Sequence, residues 1–556
     1  MSKHGVIRGD QNIPRSSLFE GRFGRIFRSL PPASWPVEAL MDLGAAMTAA
    51  PETVEGHPEL PAAAREIGKM DRLHDEEENA GISAGYTYFG QFIDHDITFD
   101  PASSLQQQND PNALVDYRTP RLDLDSLYGR GPDDQPYLYR EKRFRLGRPL
   151  RANRDATTVR DLPRYEDPDY PNEKKRALIG DKRNDENVIV AQLHAAMLQF
   201  HNKLVDRCPD ASFATVQQQV RWHYQWLVVN DFLPTICGSS TVHSILPHLV
   251  GATSVLDDPP EFQLYKWRND AFMPIEFSAA AFRFGHSMVR PIYRLNTRLN
   301  GGDNEDEATN EEVERGLAGR HFIFAGVQRR GLAGFGDFPE RWAIDWSLFF
   351  DINGSIAQPA QARVQPAYKI DTSLVDPLGF LPEFSQPAIQ PAPPLTVAQL
   401  HGAELPGELR NLAKRNLLRG ARLGLPSGQA VAYSLGLTPI ADENLRVGKA
   451  ILGDWDDPNE TRTLTSIHWS FAGNAPLWYY VLAEAQYEWR QRATGAGGRG
   501  DAEPLTLGTI GGRIVAETLI GLLWADGSSY LRQQPNFRPE QRLQTIGGLL
   551  DFALER

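Results

Sequence analysis

The sequence predicts a mainly α-helical fold with long loops, and three observations lead to this class. Apolar residues between 185 and 205 recur at helical spacing, with Ile189, Leu193, Ala196, Phe200 and Leu204 separated by 4, 3, 4 and 4 positions. Sustained alternation of apolar and polar residues, which is typical of strands, is scarce. The chain of 556 residues contains 47 glycines and 40 prolines, so we expect long connections between the helices.

Further elements are predicted in chain order. Residues 1–75 mix polar and small segments broken by prolines, so we expect an arm that wraps the rest rather than an independent domain. Two more segments have helical character, and three have loop character. The helices are expected over Arg221–Phe232 and Gly512–Leu523, an acidic loop over Asp303–Glu314, a proline-rich linker or strap over Gln386–Pro394, and a flexible loop over Gly495–Gly500.

Composition excludes several classes of protein. The 58 basic and 71 acidic residues give a net charge of −13, which argues against nucleic acid or an anionic membrane surface as the main partner. Two cysteines, Cys208 and Cys237, cannot form a disulfide framework, and the sequence leaves open whether they pair, stay reduced or link subunits. No signal peptide and no apolar run near 18 residues is visible. We therefore expect a soluble protein that is cytoplasmic or exported by a non-classical route.

The first cluster with chemical potential is the segment 88–99, which reads YFGQFIDHDITF. Gln91, Asp94, His95 and Asp96 lie among aromatic and aliphatic residues. Carboxylates in an apolar setting are costly to bury without a metal, a partner or a covalent use. The alternative is a turn whose polar groups are satisfied locally.

The second cluster, residues 119–129, reads TPRLDLDSLYG. Oxygen atoms of Thr119, Asp123 and Asp125 can converge on a hard cation together with a backbone carbonyl. Calcium takes 6–8 oxygens, so a carboxylate from elsewhere is also needed. The segment is not an EF-hand, because Tyr128 stands where that loop requires glycine. Asp-x-Asp loops are also common on protein surfaces, so this pattern alone is weak.

Two further segments, residues 180–187 and 281–287, contain side chains that could belong to a functional site. Residues 180–187 (GDKRNDEN) lie ahead of the strongest helix and place Arg183 and Glu186 three apart; the alternative is a helix cap with an ion pair. Residues 281–287 (AFRFGHS) place His286 among aromatic residues, and Gly285 beside it permits the close approach of a flat group. The alternative is a histidine satisfied inside the core.

In order and content the four clusters resemble the blocks of the animal-type haem peroxidases, the peroxidase–cyclooxygenase superfamily. These blocks are Gly-Gln-Phe-x-Asp-His-Asp, a Thr-x-x-x-Asp loop ending in Tyr-Gly, Gly-Asp-x-Arg-x-x-Glu with a downstream His-Asn, and Phe-Arg-x-Gly-His. Here the His-Asn pair is His201-Asn202, and residues 230–234 (NDFLP) are similar to a further block. The resemblance covers residues 80–530.

The resemblance implies a role for each matching position. His95, Arg183 and Gln91 would be catalytic: the distal histidine, the distal arginine and a residue that orders water or a small anion. His286 would be the proximal ligand of the haem iron, Asn416 the acceptor for its second ring N–H, and Arg283 a partner of a haem propionate. Asp94 and Glu186 would be the carboxylates that become ester-linked to haem, and calcium would bind Asp96, Thr119, Asp123, Asp125 and the carbonyl of Arg121. Many relatives have serine at the position of Asp125, and an aspartate there adds negative charge to the site.

The implied function is a haem peroxidase. It would reduce hydrogen peroxide and oxidise bromide, iodide, thiocyanate or phenolic donors through a ferryl intermediate, with haem b and Ca²⁺ as cofactors. A neutral imidazole can both take and return the proton during cleavage of peroxide, and the guanidinium of Arg183 can stabilise the departing hydroxide. Asn187 follows Glu186 where some members carry a methionine that forms a third haem bond. We therefore expect at most two ester links and poor chloride oxidation.

Three other classes of protein agree less well with the sequence. A fatty-acid dioxygenase of the same superfamily carries a radical-forming tyrosine three residues before the proximal histidine, where this chain has Arg283. A non-catalytic adhesion module would tolerate loss of His95, Arg183 or His286, yet all three are present. A non-haem metallohydrolase would need clustered histidines and carboxylates, and no HExxH motif occurs. Since the implied site spans Gln91 to Asn416, we expect residues 76–556 to form one catalytic domain after the arm 1–75.

Overall fold

The structure is a computed structural model in which a large part of the chain is described. The described residues are 21–49, 77–99, 118–151, 158–166, 175–251, 253–267, 270–296, 331–352, 363–379 and 410–555, with the short pieces 53–54, 57–61, 115–116, 320–323 and 381. The predicted acidic loop over Asp303–Glu314 and the proline-rich strap over Gln386–Pro394 lie outside these residues.

Helices dominate the described residues, as the sequence predicts. Those of seven residues or more are α1 (Val37–Ala46), α2 (Ala84–Ile97), α3 (Val188–Arg207), α4 (Phe213–Leu227), α5 (Ser239–Ile245), α6 (Leu412–Arg422), α7 (Gly428–Ser434), α8 (Leu477–Thr494), α9 (Thr509–Ala525) and α10 (Ile546–Leu554). Shorter helices include Asp125–Tyr128, Leu233–Cys237, His248–Gly251, Ile275–Ser278, Leu464–Ile467 and Tyr530–Gln533. Two 3₁₀ segments, Lys182–Asp185 and Ala281–His286, carry candidate site residues.

The strands are short and form two- or three-stranded pieces. They are Gly21–Gly24, Thr53–Val54, His57–Pro61, Glu78–Ser83, Val115–Asp116, Tyr139–Arg140, Arg143–Phe144, Pro149–Leu150, Val159–Arg160, Arg164–Tyr165, Arg176–Ala177, Met273–Pro274, Ile292–Arg294, Arg320–Phe322, Pro366–Tyr368, Arg446–Val447 and Arg462–Thr463. Glu78–Ser83 leads directly into α2 and pairs antiparallel with Pro366–Tyr368. This pairing anchors the N-terminal end of the helix that carries His95.

Helix α3 lies at the centre of the fold. It begins at Val188 because the side chain of Asn187 accepts hydrogen bonds from the backbone N–H of Ile189 (3.1 Å) and Val190 (2.8 Å). Every residue from 188 to 202 is buried, so the apolar stripe seen in the sequence describes only part of a helix whose first fifteen residues are enclosed on all sides. It packs against α2, α4 and α10.

The polar residues between 188 and 202 are therefore buried, and several of them bond to other segments of the chain. Gln192 donates to the carbonyl of Trp342 (2.7 Å), and Asn202 donates to the carbonyl of Phe144 (3.0 Å). The ring of His201 lies 2.9 Å from the hydroxyl of Tyr128. The His-Asn pair of the sequence is thus a packing feature of α3.

The described part of the N-terminal arm packs onto the rest of the chain. Gly21–Gly24 pairs with Met273–Pro274, and α1 packs along α6. At Gly44 a Cβ would lie 2.6 Å from the side chain of Lys414, so the absence of a side chain allows this close contact.

The structure shifts several predicted boundaries. The segment that contains Arg183 and Glu186 precedes α3, and Asp181 caps a separate 3₁₀ segment there, Lys182–Asp185. The helix expected over 221–232 is α4, followed by a wider π turn over Val228–Phe232. Cys208 is exposed, Cys237 is buried, and both are free thiols. Among the described helices, none combines the length and the apolar character that crossing a bilayer requires.

Candidate active site

His95 lies near the C-terminal end of α2, with its side chain almost fully buried. Its Nδ1 is 2.8 Å from Oδ1 of Asn184, whereas no described residue bonds its Nε2. Burial, followed by the guanidinium of Arg183, lowers the pKa of His95 to about 4, although Asp181 and Asp94 act in the opposite direction. The imidazole is therefore neutral near pH 7.

Arg183 lies beside the backbone of His95, not beside its ring. Its guanidinium donates to the carbonyls of His95 (3.0 Å) and Thr98 (2.6 Å) and pairs with Asp181 at 2.8 Å. It also lies over the ring of Phe99, 4.8 Å from the centroid. These contacts hold a permanent positive charge at the end of α2 that carries the histidine.

Gln91, Asp94 and Glu186 are partly exposed, whereas the intervening residues of α2 are buried. The side-chain amide of Gln91 donates to Glu186 and accepts from Asn187 (3.3 Å). Asp94 accepts from the hydroxyl of Thr98 at 3.0 Å. Both candidate ester carboxylates therefore border accessible space near His95.

His286 ends the 3₁₀ segment Ala281–His286, and its ring is partly open. Its Nδ1 lies 2.9 Å from Nδ2 of Asn416 on α6. Amide oxygen and nitrogen have the same shape, so a half-turn of this amide places Oδ1 against Nδ1–H. A Cβ added at Gly285 would meet nothing within 4 Å, so the space beside His286 is open.

Arg283 and Arg415 act electrostatically on this histidine, and Arg419 lies within electrostatic range of Arg283. The charges of Arg415 and Arg419 reinforce the burial that lowers the pKa of Arg283 to about 10. Its Nε is buried without a hydrogen-bond partner among the described residues. An unsatisfied guanidinium among like charges indicates a place for an anion.

These observations fit haem. The space beside Gly285 is open to a flat group, Arg283 would be available to the carboxylates of such a group, and His286 would be available to its iron. Asp94 and Arg183 both act electrostatically on Arg283, so the regions around His95 and His286 are close neighbours.

A cluster of three carboxylates begins at Asp96, the residue that follows His95. One oxygen each from Asp96, Asp123 and Asp125 lies within 4.8 Å of the others. Asp96 accepts from the N–H of Leu124 (3.1 Å), and Thr119 donates to Asp123 (2.9 Å).

The negative charges of this cluster repel one another, and a bound cation would relieve that repulsion. Burial and the charge of Asp123 raise the pKa of Asp125 to about 7. Burial and the charges of Asp125 and Asp123 raise the pKa of Asp96. Arg118 partly compensates, pairing with Asp125 at 3.5 Å and with Asp181 at 2.6 Å. Oδ1 of Asp125 is buried and has no hydrogen-bond partner among the residues that the structure describes. A hard cation would satisfy these oxygens.

Arg121, whose backbone carbonyl is the expected fifth calcium ligand, lies in the same loop. Its N–H donates to the carbonyl of Thr119.

Tertiary contacts add residues that the sequence did not single out. Asn184 and His194 join the histidine of α2, Arg118 and Asp181 connect the carboxylate cluster to Arg183, and Arg415 and Arg419 join Arg283. Asp181 and Asn184 lie in the segment 180–187 that the sequence analysis singled out. His194, Arg118, Arg415 and Arg419 had no such signal, because neither a buried histidine in an apolar helix nor a single arginine is distinctive.

Comparison with known proteins gives matches of three kinds. The family model for animal haem peroxidase matches residues 103–315. A dual oxidase of Drosophila melanogaster is 26% identical over 253 residues, which cover 42% of this chain and 14% of that protein. The chain therefore spans only a small part of that curated relative.

Two solved structures align over most of the chain. A fatty acid alpha-dioxygenase of Arabidopsis thaliana aligns with a TM-score of 0.50 and 12% identity, covering 94% of this chain and 76% of its own. Peroxidase A of Dictyostelium discoideum aligns with a TM-score of 0.48 and 15% identity, covering 95% and 94%. The first alignment supports the shared helical fold.

Proposed function

We propose that this chain, in which residues 103–315 match the family model for animal haem peroxidase, reduces hydrogen peroxide at a haem bound between His95 and His286. One observation carries the proposal. Two histidines, 191 positions apart in the sequence, each have Nδ1 against an asparagine amide and no described bond at Nε2. Such histidines can present Nε2 to a ligand on either side of a flat group.

His286 would hold the haem iron through Nε2, and Asn416 would accept its Nδ1–H. Arg283, with Arg415 and Arg419 nearby, would bind the propionates. Haem, when bound, supplies the redox centre that delivers electrons to peroxide.

His95 would move the proton. Its neutral Nε2 can take a proton from one peroxide oxygen and return it to the oxygen that leaves. Arg183 would place its fixed charge close to where negative charge develops, because it is held by Asp181 and by two backbone carbonyls. Gln91 would contribute an amide for ordering water or a small anion.

We propose bromide, iodide, thiocyanate or phenols as donors, and poor turnover of chloride. The reason is Asn187: its amide caps α3 and bonds Gln91, so this position has no thioether for a third covalent bond to haem. At most two ester links, through Asp94 and Glu186, are proposed. Failure of acid–acetone to extract haem after turnover with peroxide would support them.

We also propose that Asp96, Thr119, Asp123, Asp125 and the carbonyl of Arg121 bind calcium. The raised pKa values of the aspartates and the unsatisfied oxygen of Asp125 support a cation at this position. Since Asp96 follows His95 directly, the ion would fix the backbone that positions the base.

We further propose one catalytic domain over residues 76–556 with the arm 1–75. Contacts between α6 and the 3₁₀ segment that carries His286, and between α1 and α6, support this organisation.

The test is a spectrum and a donor panel on the full chain supplied with haem. We expect a Soret band and peroxide-dependent oxidation of bromide, iodide, thiocyanate or a phenol. Oxygen uptake with a fatty acid, in the absence of peroxide turnover, would instead establish a dioxygenase, the class suggested by the fold of the Arabidopsis neighbour. Arg283 at the position of the radical tyrosine favours the peroxidase. Lack of haem binding would refute both.

A further inference from the structure

We infer that Asn184 is a positioning residue that fixes the ring and the tautomer of His95, and that His194 in turn orients Asn184. The inference rests on the proposed function only in that His95 serves there as the base. Neither Asn184 nor His194 belongs to the residues that the sequence assigns to the site.

The geometry is a chain of three buried side chains. Asn184 and His194 are fully buried. Oδ1 of Asn184 lies 2.8 Å from Nδ1 of His95, and Nδ2 of Asn184 lies 3.0 Å from Nδ1 of His194. The two ends of one amide therefore face two imidazoles that belong to different helices, α2 and α3.

The chemistry of the amide sets the direction of both bonds. An amide accepts only at its oxygen and donates only at its nitrogen. With Oδ1 toward His95, Nδ1–H of that ring donates, so the lone pair lies on Nε2. With the amide reversed, Nε2 of His95 would carry the proton and could not act as the base. The amide orientation thus decides whether the neutral ring can take a proton from a substrate.

His194 can accept the second hydrogen bond of the amide in the productive orientation. Its ring packs edge-on against Phe92 of α2, with 6.1 Å between centroids. Burial lowers the pKa of His194 to about 3, so the ring is neutral and one nitrogen must accept. When Nδ1 accepts from Asn184, the proton lies on Nε2, which is buried without a partner among the described residues. Such a group is ordinarily satisfied by a buried water.

The test is the tautomer of His95, read from long-range ¹H–¹⁵N correlation spectra of the full chain with labelled histidine. The signal is assigned by its loss in His95→Gln. Spectra are recorded with and without haem, because the readout without haem does not depend on activity. Three variants are compared: Asn184→Leu removes both bonds, Asn184→Asp keeps an acceptor for His95, and His194→Leu leaves Asn184 in place but removes its acceptor.

A matched control separates positioning from general destabilisation. Gln192 is a similarly buried amide on α3, where it bonds the backbone of Trp342 and Ile344. Gln192→Leu therefore removes an amide from the same helix without touching His95.

We expect the proton of His95 on Nδ1 in the wild type, in Asn184→Asp and in Gln192→Leu. Asn184→Leu and His194→Leu should show a mixture of tautomers and a peroxide reaction about tenfold slower, the size of a lost orienting hydrogen bond. A wild-type His95 protonated on Nε2, or an Asn184→Leu protein with the wild-type tautomer and rate, would overturn the inference. If the tautomer responds as expected but the protein does not consume peroxide, the positioning role stands and the proposed function fails. His194→Leu keeps the test decisive if an Asn184 variant does not fold.

Discussion

The regions around His95 and His286 place the same kind of side chain in different electrostatic settings. Around His95, the lowering of the pKa by burial and Arg183 is opposed by the carboxylates of Asp181 and Asp94. Around His286, burial and the guanidinium groups of Arg283 and Arg415 all lower the pKa, to about 3. A histidine balanced between opposite charges suits proton transfer, whereas one in a wholly cationic setting stays neutral and suits metal ligation.

The two regions also differ in how the chain assembles them. The region around His95, called the His95 side, joins α2 to the segment 181–187, which directly precedes α3 in the chain, and to His194 of α3. The His286 side brings Asn416 from 130 residues downstream, and Trp478 of α8 donates to the carbonyl of Arg283 at 3.3 Å. The first side is a compact hydrogen-bonded unit, and the second depends on packing between distant helices. Four predictions test this comparison.

The largest effect is expected for His286→Ala. Removing the only proposed iron ligand should abolish stable haem binding, measured by absorbance titration of the full chain. The control is His223→Gln, because His223 bonds the carbonyl of Gln219 within its own helix, away from both sides. Unchanged haem affinity in His286→Ala would contradict the assignment of the iron ligand.

The second prediction concerns His95→Ala. Haem binding should persist, and the reaction with peroxide should slow by roughly 10²–10⁴-fold, because base and acid are lost together. Stopped-flow absorbance after mixing with peroxide measures this rate. A rate close to that of the wild type would exclude His95 as the base and remove the functional contrast between the two sides.

A smaller effect is expected for Asn416→Leu. Loss of the partner of His286 Nδ1 should reduce haem affinity or activity by about 10–100-fold, the range for residues that orient a metal ligand. Asn416→Asp keeps an acceptor and should recover much of the loss. Equal behaviour of the two variants would show that packing, not the hydrogen bond, matters at this position.

The smallest effect is expected from calcium. At a concentration about 100 times its Kd, Ca²⁺ should stabilise the protein by about 2.7 kcal/mol and raise Tm by a few degrees. Asp123→Asn should remove this response, measured by calorimetry with and without a chelator. Asp133→Asn, at an exposed acid outside the cluster, should keep it. An identical response in both variants would place the ion elsewhere.

The sequence by itself predicted the fold class and named the candidate residues of the site. Helical spacing in α3 and the scarcity of alternation predicted a mainly α protein, which the structure confirms. The blocks around His95, Arg183 and His286 resemble those of the animal haem peroxidases, and the family model for animal haem peroxidase matches residues 103–315, which include Arg183 and His286. Local spacing also placed Asp123 and Asp125 in one loop, and these lie in the carboxylate cluster.

Only the tertiary structure decided how those residues are held. Arg183 faces backbone carbonyls, Asn184 bridges two imidazoles, and Arg415 and Arg419 gather around Arg283. The burial of every residue from 188 to 202 of α3 was also not predictable, because the polar side chains of that stretch resemble a solvated face until their partners from other segments are known. The physical reason is that hydrogen bonds and charge pairs act over a few ångströms in space, whereas their members lie tens to hundreds of residues apart in the chain.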